Sequence, residues 1–229
     1  MASKLRDFVK RCTPPILVDV LRGSSRAPKA PNNESSQGSG SEQAAEWYDR
    51  SFERAEHWRE PYTTSRYYFF WSVIVDRLVR DGKDGILDIG CGPGQFASLA
   101  RDRGVKRYWG LDFSEKRIEQ ARKVCPEFPF FMEDAFLTDK FNTLDYQVVV
   151  MTEVLEHVEN DIGLLQRIKP GSRVLGSVPN FPYKSHVRHF KSAAEVEHRY
   201  KPVFTSLQVD EFIANSTGHR YFLLDGVKR

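Results

Sequence analysis

The segment that most constrains the fold is an apolar run that stops at three closely spaced glycines. Its sequence is Ile86-Leu87-Asp88-Ile89-Gly90-Cys91-Gly92-Pro93-Gly94. Glycine lets the backbone turn sharply and lets a ligand approach the main chain. A helix that begins directly after the loop would add free N–H groups and the positive end of its dipole. The pattern predicts a strand, a ligand-binding loop and a helix, although an ordinary strand-to-helix turn can carry the same glycines.

The chain around this loop alternates between short apolar runs and amphipathic runs. The apolar runs predict strands at residues 85–89, 107–111, 128–132, 146–152 and 173–178. Helical spacing predicts helices at residues 95–103, 114–124 and 161–168, and Ser114 is the expected cap of the second. Strands that alternate with helices form a parallel sheet covered on both faces. The pattern therefore predicts an α/β fold.

Two further segments flank this alternating part. Residues 43–80 are dense in aromatic side chains and predict a helical cap that includes a helix at 64–80. The C-terminal part predicts a helix at residues 192–200. Two strands follow at residues 207–213 and 220–224, and a turn at residues 215–218 joins them. Val209, Phe212 and Ile213 also have helical spacing, so a helix remains the alternative for that segment.

The charge of the chain is concentrated at its N-terminus. Residues 1–29 carry seven Lys and Arg against two Asp, a net charge of +5, so a total of +3 leaves −2 for the remaining 200 residues. This distribution argues against nucleic acid as the substrate. Cys12, Cys91 and Cys125 form no metal-binding spacing, which favours a reducing cytoplasm over a disulfide scaffold or a structural zinc site.

The N-terminal segment predicts an appendage rather than a membrane anchor. No apolar run approaches the ~18 residues of a membrane span, and residues 16–21 are too short and too polar for a signal peptide. We divide the chain into a basic amphipathic arm at 1–23, a flexible linker at 24–42 and a folded domain at 43–229. We expect weak, peripheral contact of the arm with an anionic membrane surface. The alternative is packing of the arm on the domain or on a second subunit, and the oligomeric state stays open.

Acidic residues follow three of the predicted strands. Asp112 ends the second strand, where its carboxylate can accept hydrogen bonds from both hydroxyls of a ribose, and Phe113 can pack on an adenine face. The third and fourth strands end in Glu133-Asp134-Ala135 and Thr152-Glu153. The carboxyl edge of an open α/β sheet is where such folds bind ligands. Each carboxylate taken alone can also be a solvated loop residue.

Taken in order, these motifs resemble those of the class I S-adenosylmethionine-dependent methyltransferases. The segments concerned are D-I-G-C-G-P-G at 88–94, L-D at 111–112, E-D-A at 133–135 and T-E-V-L-E-H-V at 152–158. The resemblance implies a Rossmann-like seven-stranded sheet, mostly parallel, with a C-terminal antiparallel hairpin. It also implies S-adenosylmethionine as the cofactor, bound by Asp88, Gly90, Cys91, Gly92, Gly94, Asp112, Phe113, Glu133, Asp134, Ala135, Thr152 and Glu153. A dehydrogenase that binds NAD would instead need G-x-G-x-x-G and a second domain.

Methyl transfer to an oxygen also requires a base. The candidate catalytic residues are Glu153, His157, His186 and His189, which follow the fourth and fifth strands. His157 can equally be a histidine bonded to the backbone at a helix start. E-V-L-E-H with a later histidine resembles methyltransferases of the ubiquinone pathway and of small-RNA 3′ ends, in which glutamates and histidines hold a divalent ion. Metal-free relatives share that string, so we expect no metal here.

The acceptor is the least constrained part of the prediction. T-P-P-I-L at 13–17, S-V-P-N at 177–180, S-H-V-R-H-F at 185–190 and F-L-L-D-G at 222–226 resemble small bacterial methyltransferases linked to cell-surface polysaccharide. We therefore predict O-methylation of a sugar or a cell-surface polysaccharide precursor. A quinol-type small molecule, the 2′-oxygen of RNA and a non-catalytic cofactor-binding subunit are the alternatives. Within the cap, Tyr48, Tyr62 and Arg66 are the expected contacts to the cofactor carboxylate or the substrate.

Overall fold

A seven-stranded sheet forms the centre of the computed structural model, which describes residues 40–229. Its order is β3-β2-β1-β4-β5-β7-β6. The strands are β1 (Ile86–Ile89), β2 (Tyr108–Asp112), β3 (Phe130–Met132), β4 (Val148–Met151), β5 (Arg173–Pro179), β6 (Phe204–Ile213) and β7 (Arg220–Lys228). β1 to β5 pair in parallel, whereas β7 is antiparallel to both β5 and β6. The predicted fold class, including the C-terminal hairpin, is confirmed. The predicted arm and most of the predicted linker lie outside the described residues.

Helices cover both faces of the sheet. They are α1 (Ala45–Arg54), α2 (Tyr68–Arg80), α3 (Gln95–Asp102), α4 (Glu115–Val124), α5 (Lys140–Thr143), α6 (Asp161–Gln166) and α7 (Ala193–Tyr200). Ser114 caps α4 as expected, because its side chain accepts a hydrogen bond from the N–H of Arg117. The helix predicted to begin at residue 64 begins at Tyr68 instead, after a short 3₁₀ turn at Tyr62–Thr64. Among the described residues, no helix has the length and apolar character needed to cross a membrane.

The core consists of two apolar layers, one on each face of the sheet. One layer joins the sheet to α2, α3 and α4, and the other joins it to α6 and α7. Every residue of β1 and of β4 is buried, which explains why these strands are almost continuously apolar. The central strands are thus fixed from both sides, and the loops that leave their carboxyl ends are held in place.

The C-terminal segment that also fits a helix forms β6. It is an edge strand, so its outward side chains face solvent, and Ile213 is 69% exposed. Phe212 instead packs against the ring of Phe70, with the centroids 5.4 Å apart. Asn215 closes the turn by accepting hydrogen bonds from the N–H groups of Thr217 and His219. Pairing with β7 therefore decides the structure of a segment whose spacing is ambiguous.

The loop after β1 requires its glycines for conformation and for space. Gly90, Gly92 and Gly94 all have positive φ values, of 71°, 56° and 84°. A Cβ atom at Gly90 would lie 2.5 Å from Cγ2 of Val154, in the loop after β4. The glycines thus bring the β1 loop into contact with the β4 loop at the carboxyl edge of the sheet.

Candidate active site

A cavity of about 320 Å³ opens at this carboxyl edge. Its walls come from the glycine loop, from the segment around α1 and from the loops after β4 and β5. The residues of the predicted site that line it are Tyr48, Arg66, Asp88, Gly90, Cys91, Gly92, Thr152, Glu153, His157 and His186. One cavity therefore joins the glycine loop to two of the three candidate histidines.

Asp88 is a buried carboxyl group in the wall of the cavity. The hydroxyl of Tyr108, on the neighbouring strand β2, donates a hydrogen bond to it. Burial, opposed by the Tyr108 hydrogen bond and assisted by the nearby Asp112 carboxylate, raises the pKa of Asp88 to about 8. Asp88 is accordingly a neutral or partly neutral acid near pH 7.

Asp112 is also buried, but it does not line the cavity. Its Oδ2 accepts a hydrogen bond of 3.0 Å from the N–H of Gly92, and its Oδ1 accepts one of 2.8 Å from the N–H of Ser114. Only 4% of the residue is exposed. The carboxylate thus holds the glycine loop to the start of α4, and a ribose could reach its remaining lone pairs only after the cover above it moves.

That cover is α1, the first helix of the predicted cap. Oδ1 of Asp49 accepts hydrogen bonds from the hydroxyl of Ser114 at 2.6 Å and from the N–H of Lys116 at 3.1 Å. The ring of Tyr48 meets the ring of Phe113 edge to face, with the centroids 5.2 Å apart. The cap is therefore fastened directly over the end of β2, whereas α2, which the prediction included in the cap, packs in the core.

The residues after β3 lie apart from the cavity. Glu133 accepts a hydrogen bond of 2.5 Å from the hydroxyl of Thr138 and forms an ion pair with Lys140. Asp134 is exposed, and its Oδ1 accepts a 2.7 Å bond from the N–H of Phe136. Ala135 is partly buried against the apolar core. These side chains are bonded to their own loop.

Glu153 has an unusual backbone. Its φ is 58°, the only positive value at a non-glycine residue among residues 40–229. Its N–H donates a 2.9 Å hydrogen bond to Oγ of Ser177, and the hydroxyl of Tyr67 lies 3.4 Å from its Oε2. Burial raises the pKa of Glu153 to about 7. The strained backbone directs this carboxyl group into the cavity.

Glu156, His157 and His186 form a cluster of potential metal ligands. Their potential ligand atoms all lie within 4.8 Å of one another. Glu156 is fully buried, and among the described residues no backbone N–H and no basic or hydroxyl side chain donates to its carboxyl oxygens; the neighbouring acid, Glu153, is the one group close enough to share a proton with it. Burial and the neighbouring Glu153 raise its pKa well above the usual range. Two neighbouring buried carboxyl groups can share one proton, or they can lose it when a cation binds between them and the imidazoles.

The two histidines present lone pairs to the cluster. Nδ1 of His157 lies 2.9 Å from the carbonyl oxygen of Ser185, and Nδ1 of His186 lies 3.1 Å from that of Phe181. Because a carbonyl can only accept, each Nδ1 carries the proton and each Nε2 keeps its lone pair. Burial lowers the pKa of His157 to about 4 and also lowers that of His186. Both rings are therefore neutral at pH 7.

This donor set fits a divalent cation. Two imidazole nitrogens and a carboxylate are a common combination of ligands for first-row metals. A cation would also supply the positive partner that Glu156 lacks. The sequence analysis expected no metal at this place, but the geometry brings together residues able to hold one.

A family model described as a methyltransferase domain matches residues 62–211, which is more than half of the chain. The chain belongs to this family. The resemblance seen in the motifs, with S-adenosylmethionine as the cofactor, is confirmed.

Sequence relatives and solved structures agree with this assignment. Ubiquinone biosynthesis O-methyltransferase of Vibrio cholerae is 31% identical over 111 residues, which are 44% of each protein. The chain thus spans less than half the length of this curated relative. N-methyltransferase NodS of Bradyrhizobium japonicum, in complex with S-adenosyl-L-homocysteine, has a TM-score of 0.58 at 17% identity and covers 79% of this chain and 98% of its own. Magnesium protoporphyrin IX methyltransferase of Synechocystis has a TM-score of 0.55 at 16% identity, with both chains fully covered. The structural likeness shows the fold alone.

A predicted catalytic residue, His189, and a predicted cap contact, Tyr62, also lie outside the cavity. His189 is exposed and outside the cavity, although it follows His186 by only three residues. The hydroxyl of Tyr62 donates a 2.9 Å hydrogen bond to Asp102, away from the cavity wall. Sequence proximity grouped these residues with the site, but the path of each loop turns their side chains away.

Other cavity residues were missed by the sequence analysis. Arg117 lines the cavity from the first turn of α4, and Tyr221 lines it from β7. Gln95, the first residue of α3, donates from Nε2 to the carbonyl oxygens of His57 and Glu60 and so ties the cap to the glycine loop. No local motif marks these residues, because only the tertiary fold brings them to the edge of the sheet.

Proposed function

We propose that this methyltransferase transfers the methyl group of S-adenosylmethionine to a hydroxyl oxygen of a small molecule. The cluster of Glu156, His157 and His186 carries the proposal, because it combines two imidazole lone pairs with a buried carboxyl group. Nitrogen acceptors already offer a lone pair, whereas a hydroxyl must also lose its proton. Two members of the cluster, His157 and His186, line the same cavity as Thr152 and Glu153, which we expect from the resemblance of the motifs to border the sulfonium end of the cofactor.

In this reaction, the acceptor oxygen forms a bond to the methyl carbon while the bond from that carbon to sulfur breaks. The products are the methyl ether and S-adenosylhomocysteine, and the hydroxyl proton passes to Nε2 of His157. A histidine whose pKa is about 4 is unprotonated at pH 7, but it is a weak base. A divalent cation held by Glu156, His157 and His186 would use the Nε2 lone pair of His157 and would make the hydroxyl more acidic, and in that case the proton would pass to the carboxylate of Glu153 instead. The cavity walls align the acceptor with the methyl group and exclude water.

For the acceptor, we propose a sugar or a polysaccharide precursor, with a quinol-type molecule as the second candidate. The cavity wall includes the aromatic side chains of Trp47, Tyr48, Phe181 and Tyr183. Aromatic faces pack well against the apolar face of a sugar ring and equally against a second aromatic ring. The similarity to ubiquinone biosynthesis O-methyltransferase supports the quinol-type candidate.

The test is a transfer assay with the full chain and S-adenosylmethionine carrying a labelled methyl group. Sugars, sugar nucleotides and catechols are offered in parallel, and mass spectrometry locates the label. We expect an oxygen-linked methyl group, activity that chelator removes, and recovery with magnesium, manganese or zinc. Activity that survives chelator would leave His157 acting without a cation. Label on nitrogen or carbon alone would contradict the proposal.

Two histidine variants provide a matched pair for this assay. His186→Ala removes an imidazole from the cluster and should lower turnover by roughly 10²–10⁴-fold. His189→Ala removes an exposed imidazole three residues away and should leave turnover unchanged. Equal losses in the two variants would show that the loop, rather than the cluster, matters for the reaction.

A further inference from the structure

Arg117 is a buried cation in the cavity wall. It lies in the first turn of α4, and only 8% of the residue is exposed. Its guanidinium carbon lies 4.9 Å from the ring centroid of Tyr48 and 4.7 Å from that of Trp58. Two aromatic rings from the cap segment thus hold the guanidinium group, which leaves its N–H edges as the groups able to bind a ligand.

Within residues 40–229, no side-chain or backbone acceptor binds the N–H groups of Arg117. Its Nε is buried and has no hydrogen-bond partner, and its guanidinium forms no ion pair with a carboxylate of residues 40–229. Buried arginines in proteins are normally paired with an acid, because an uncompensated charge is costly to remove from water.

A second arginine lines the same cavity. Arg66 also forms no ion pair with a carboxylate of the described part of the chain, and it lies beside Tyr67. S-adenosylmethionine carries a single carboxylate, so it can neutralise only one of the two arginines. Because Arg66 also interacts electrostatically with the carboxyl group of Glu153, Arg117 is the cavity arginine whose N–H groups remain for a further anion.

The position of Arg117 relates it to the acceptor. Tyr48, which packs on its guanidinium, also meets the ring of His157 edge to face, with the centroids 6.1 Å apart. One tyrosine ring thus separates Arg117 from the histidine that faces the reacting hydroxyl. An acceptor that lies along this ring would reach both groups.

We propose that Arg117 binds an anionic group of the methyl acceptor, a carboxylate or a phosphate, so that this methyltransferase selects acidic substrates. A planar guanidinium matches either anion with two parallel hydrogen bonds. The proposal rests on the proposed O-methyl transfer, since it assigns the other end of the same acceptor. A neutral sugar or quinol lacks the group that Arg117 requires, whereas a sugar acid, a sugar phosphate or an aromatic acid carries it.

The test measures binding without turnover. The full chain is saturated with S-adenosylhomocysteine and titrated with inorganic phosphate and with citrate at constant ionic strength, and glucose serves as the uncharged control. Trp58 lies against the guanidinium, so tryptophan fluorescence reports occupancy. We expect saturable binding of at least one anion and none of glucose. Arg117→Met should weaken that binding about 10- to 100-fold. Arg117→Lys should weaken it less, because lysine keeps the positive charge but cannot form the two parallel hydrogen bonds.

Lys116→Met is the matched control, since it removes the same charge from the neighbouring residue on the same helix, where the lysine side chain is partly exposed. It should leave anion binding unchanged. Calorimetry with S-adenosylhomocysteine checks that each variant is folded, and Arg117→Lys serves if Arg117→Met does not fold. Absence of saturable binding for both anions, or equal affinity in the wild type and the Arg117 variants, would overturn the proposal. A loss of S-adenosylhomocysteine affinity in Arg117→Lys would assign Arg117 to the cofactor instead. None of these outcomes depends on whether oxygen methylation is observed.

Discussion

The carboxyl edge of the sheet carries two acidic stretches in opposite states. After β2 and β3, the carboxylates of Asp112 and Glu133 are bonded to N–H and O–H groups of the loops around them. After β4, Glu156 is buried, and no N–H or O–H group of residues 40–229 other than the Glu153 carboxyl can donate to it. We call these the adenosine side and the acceptor side. The acids of the adenosine side hold the loops in place, whereas the acid of the acceptor side has no such bond. A buried acid without a donor can take up a cation or a proton, whereas an acid bonded to the loops can only position a ligand.

The largest effect should come from the acceptor side. Glu156→Gln keeps the shape of the side chain but removes the ionisable carboxyl group that could bind a cation, and we expect methyl transfer to fall by roughly 10²–10⁴-fold while the affinity for S-adenosylhomocysteine is kept. The free energy of unfolding should stay equal or rise, because a buried carboxyl group is lost. Turnover and chemical denaturation measure the two quantities. Glu159→Gln, an exposed acid three residues on, is the control. Full activity in Glu156→Gln would show that the acid of the acceptor side takes no part in the reaction.

A substitution on the adenosine side should lower the affinity for the cofactor. Asp112→Ala should cost about 2–4 kcal/mol of S-adenosylhomocysteine binding, because charge-assisted bonds to the ribose hydroxyls are lost. Calorimetry measures the change. Asp112→Asn keeps the shape and one acceptor oxygen, for the N–H of either Gly92 or Ser114, and so shows how much of the loss comes from the charge and the second oxygen. Undiminished affinity in a folded Asp112→Ala variant would show that the ribose does not bind there.

The ionisation of Asp88, which lies between the two sides, should appear in the pH dependence of the free energy of unfolding. Its pKa is raised to about 8 in the fold from an ordinary value of 3.8, so the native state binds the extra proton in that range. The stability that this group contributes is fully present below pH 4 and is lost as the pH rises through 8. We expect the free energy of unfolding of the cofactor-free protein to fall by roughly 1–3 kcal/mol across this window. Asp88→Asn should flatten that slope, whereas the exposed Asp145→Asn should not.

The smallest effect concerns the cover over the adenosine side. Asp49→Ala removes the bonds to Ser114 and Lys116, a fastening comparable to a helix cap of about 1 kcal/mol. The open form should become more populated, and S-adenosylhomocysteine should associate up to roughly 5-fold faster in stopped-flow fluorescence. Glu53→Ala, an exposed residue of the same helix, is the control. A slower association in Asp49→Ala would mean that the cap guides the cofactor rather than covering its site.

Local pattern was sufficient for the framework of the fold. β1 and β4 are apolar because both of their faces are buried, and Ser114 caps α4 through a bond to a residue three positions on. Such features depend on near neighbours in the chain. The start of α2 was predicted four residues early, because aromatic residues before Tyr68 continue the apolar spacing while the backbone forms a 3₁₀ turn.

The candidate site was less predictable. The motifs indicated Glu153 and His157, but nothing in E-V-L-E-H shows that no basic or hydroxyl side chain of the described residues donates to Glu156, since that depends on every chain segment around it. Arg117 and Asp49 were missed for the same reason. Arg117 occupies an ordinary position in a basic helix, and its role emerges only when Tyr48 and Trp58 enclose it. Contacts between distant segments decide these properties.

The left-handed backbone of Glu153 has a consequence for directed evolution. Glycine adopts a φ of 58° without the steric cost that a glutamate pays there, about 1 kcal/mol. Glycine at this position would also remove a buried acid. A library selected only for thermal stability should therefore enrich Glu153→Gly. The selected variants would be more stable but would lack a carboxyl group that lines the cavity. Selection for thermal tolerance and selection for turnover should diverge at this single codon.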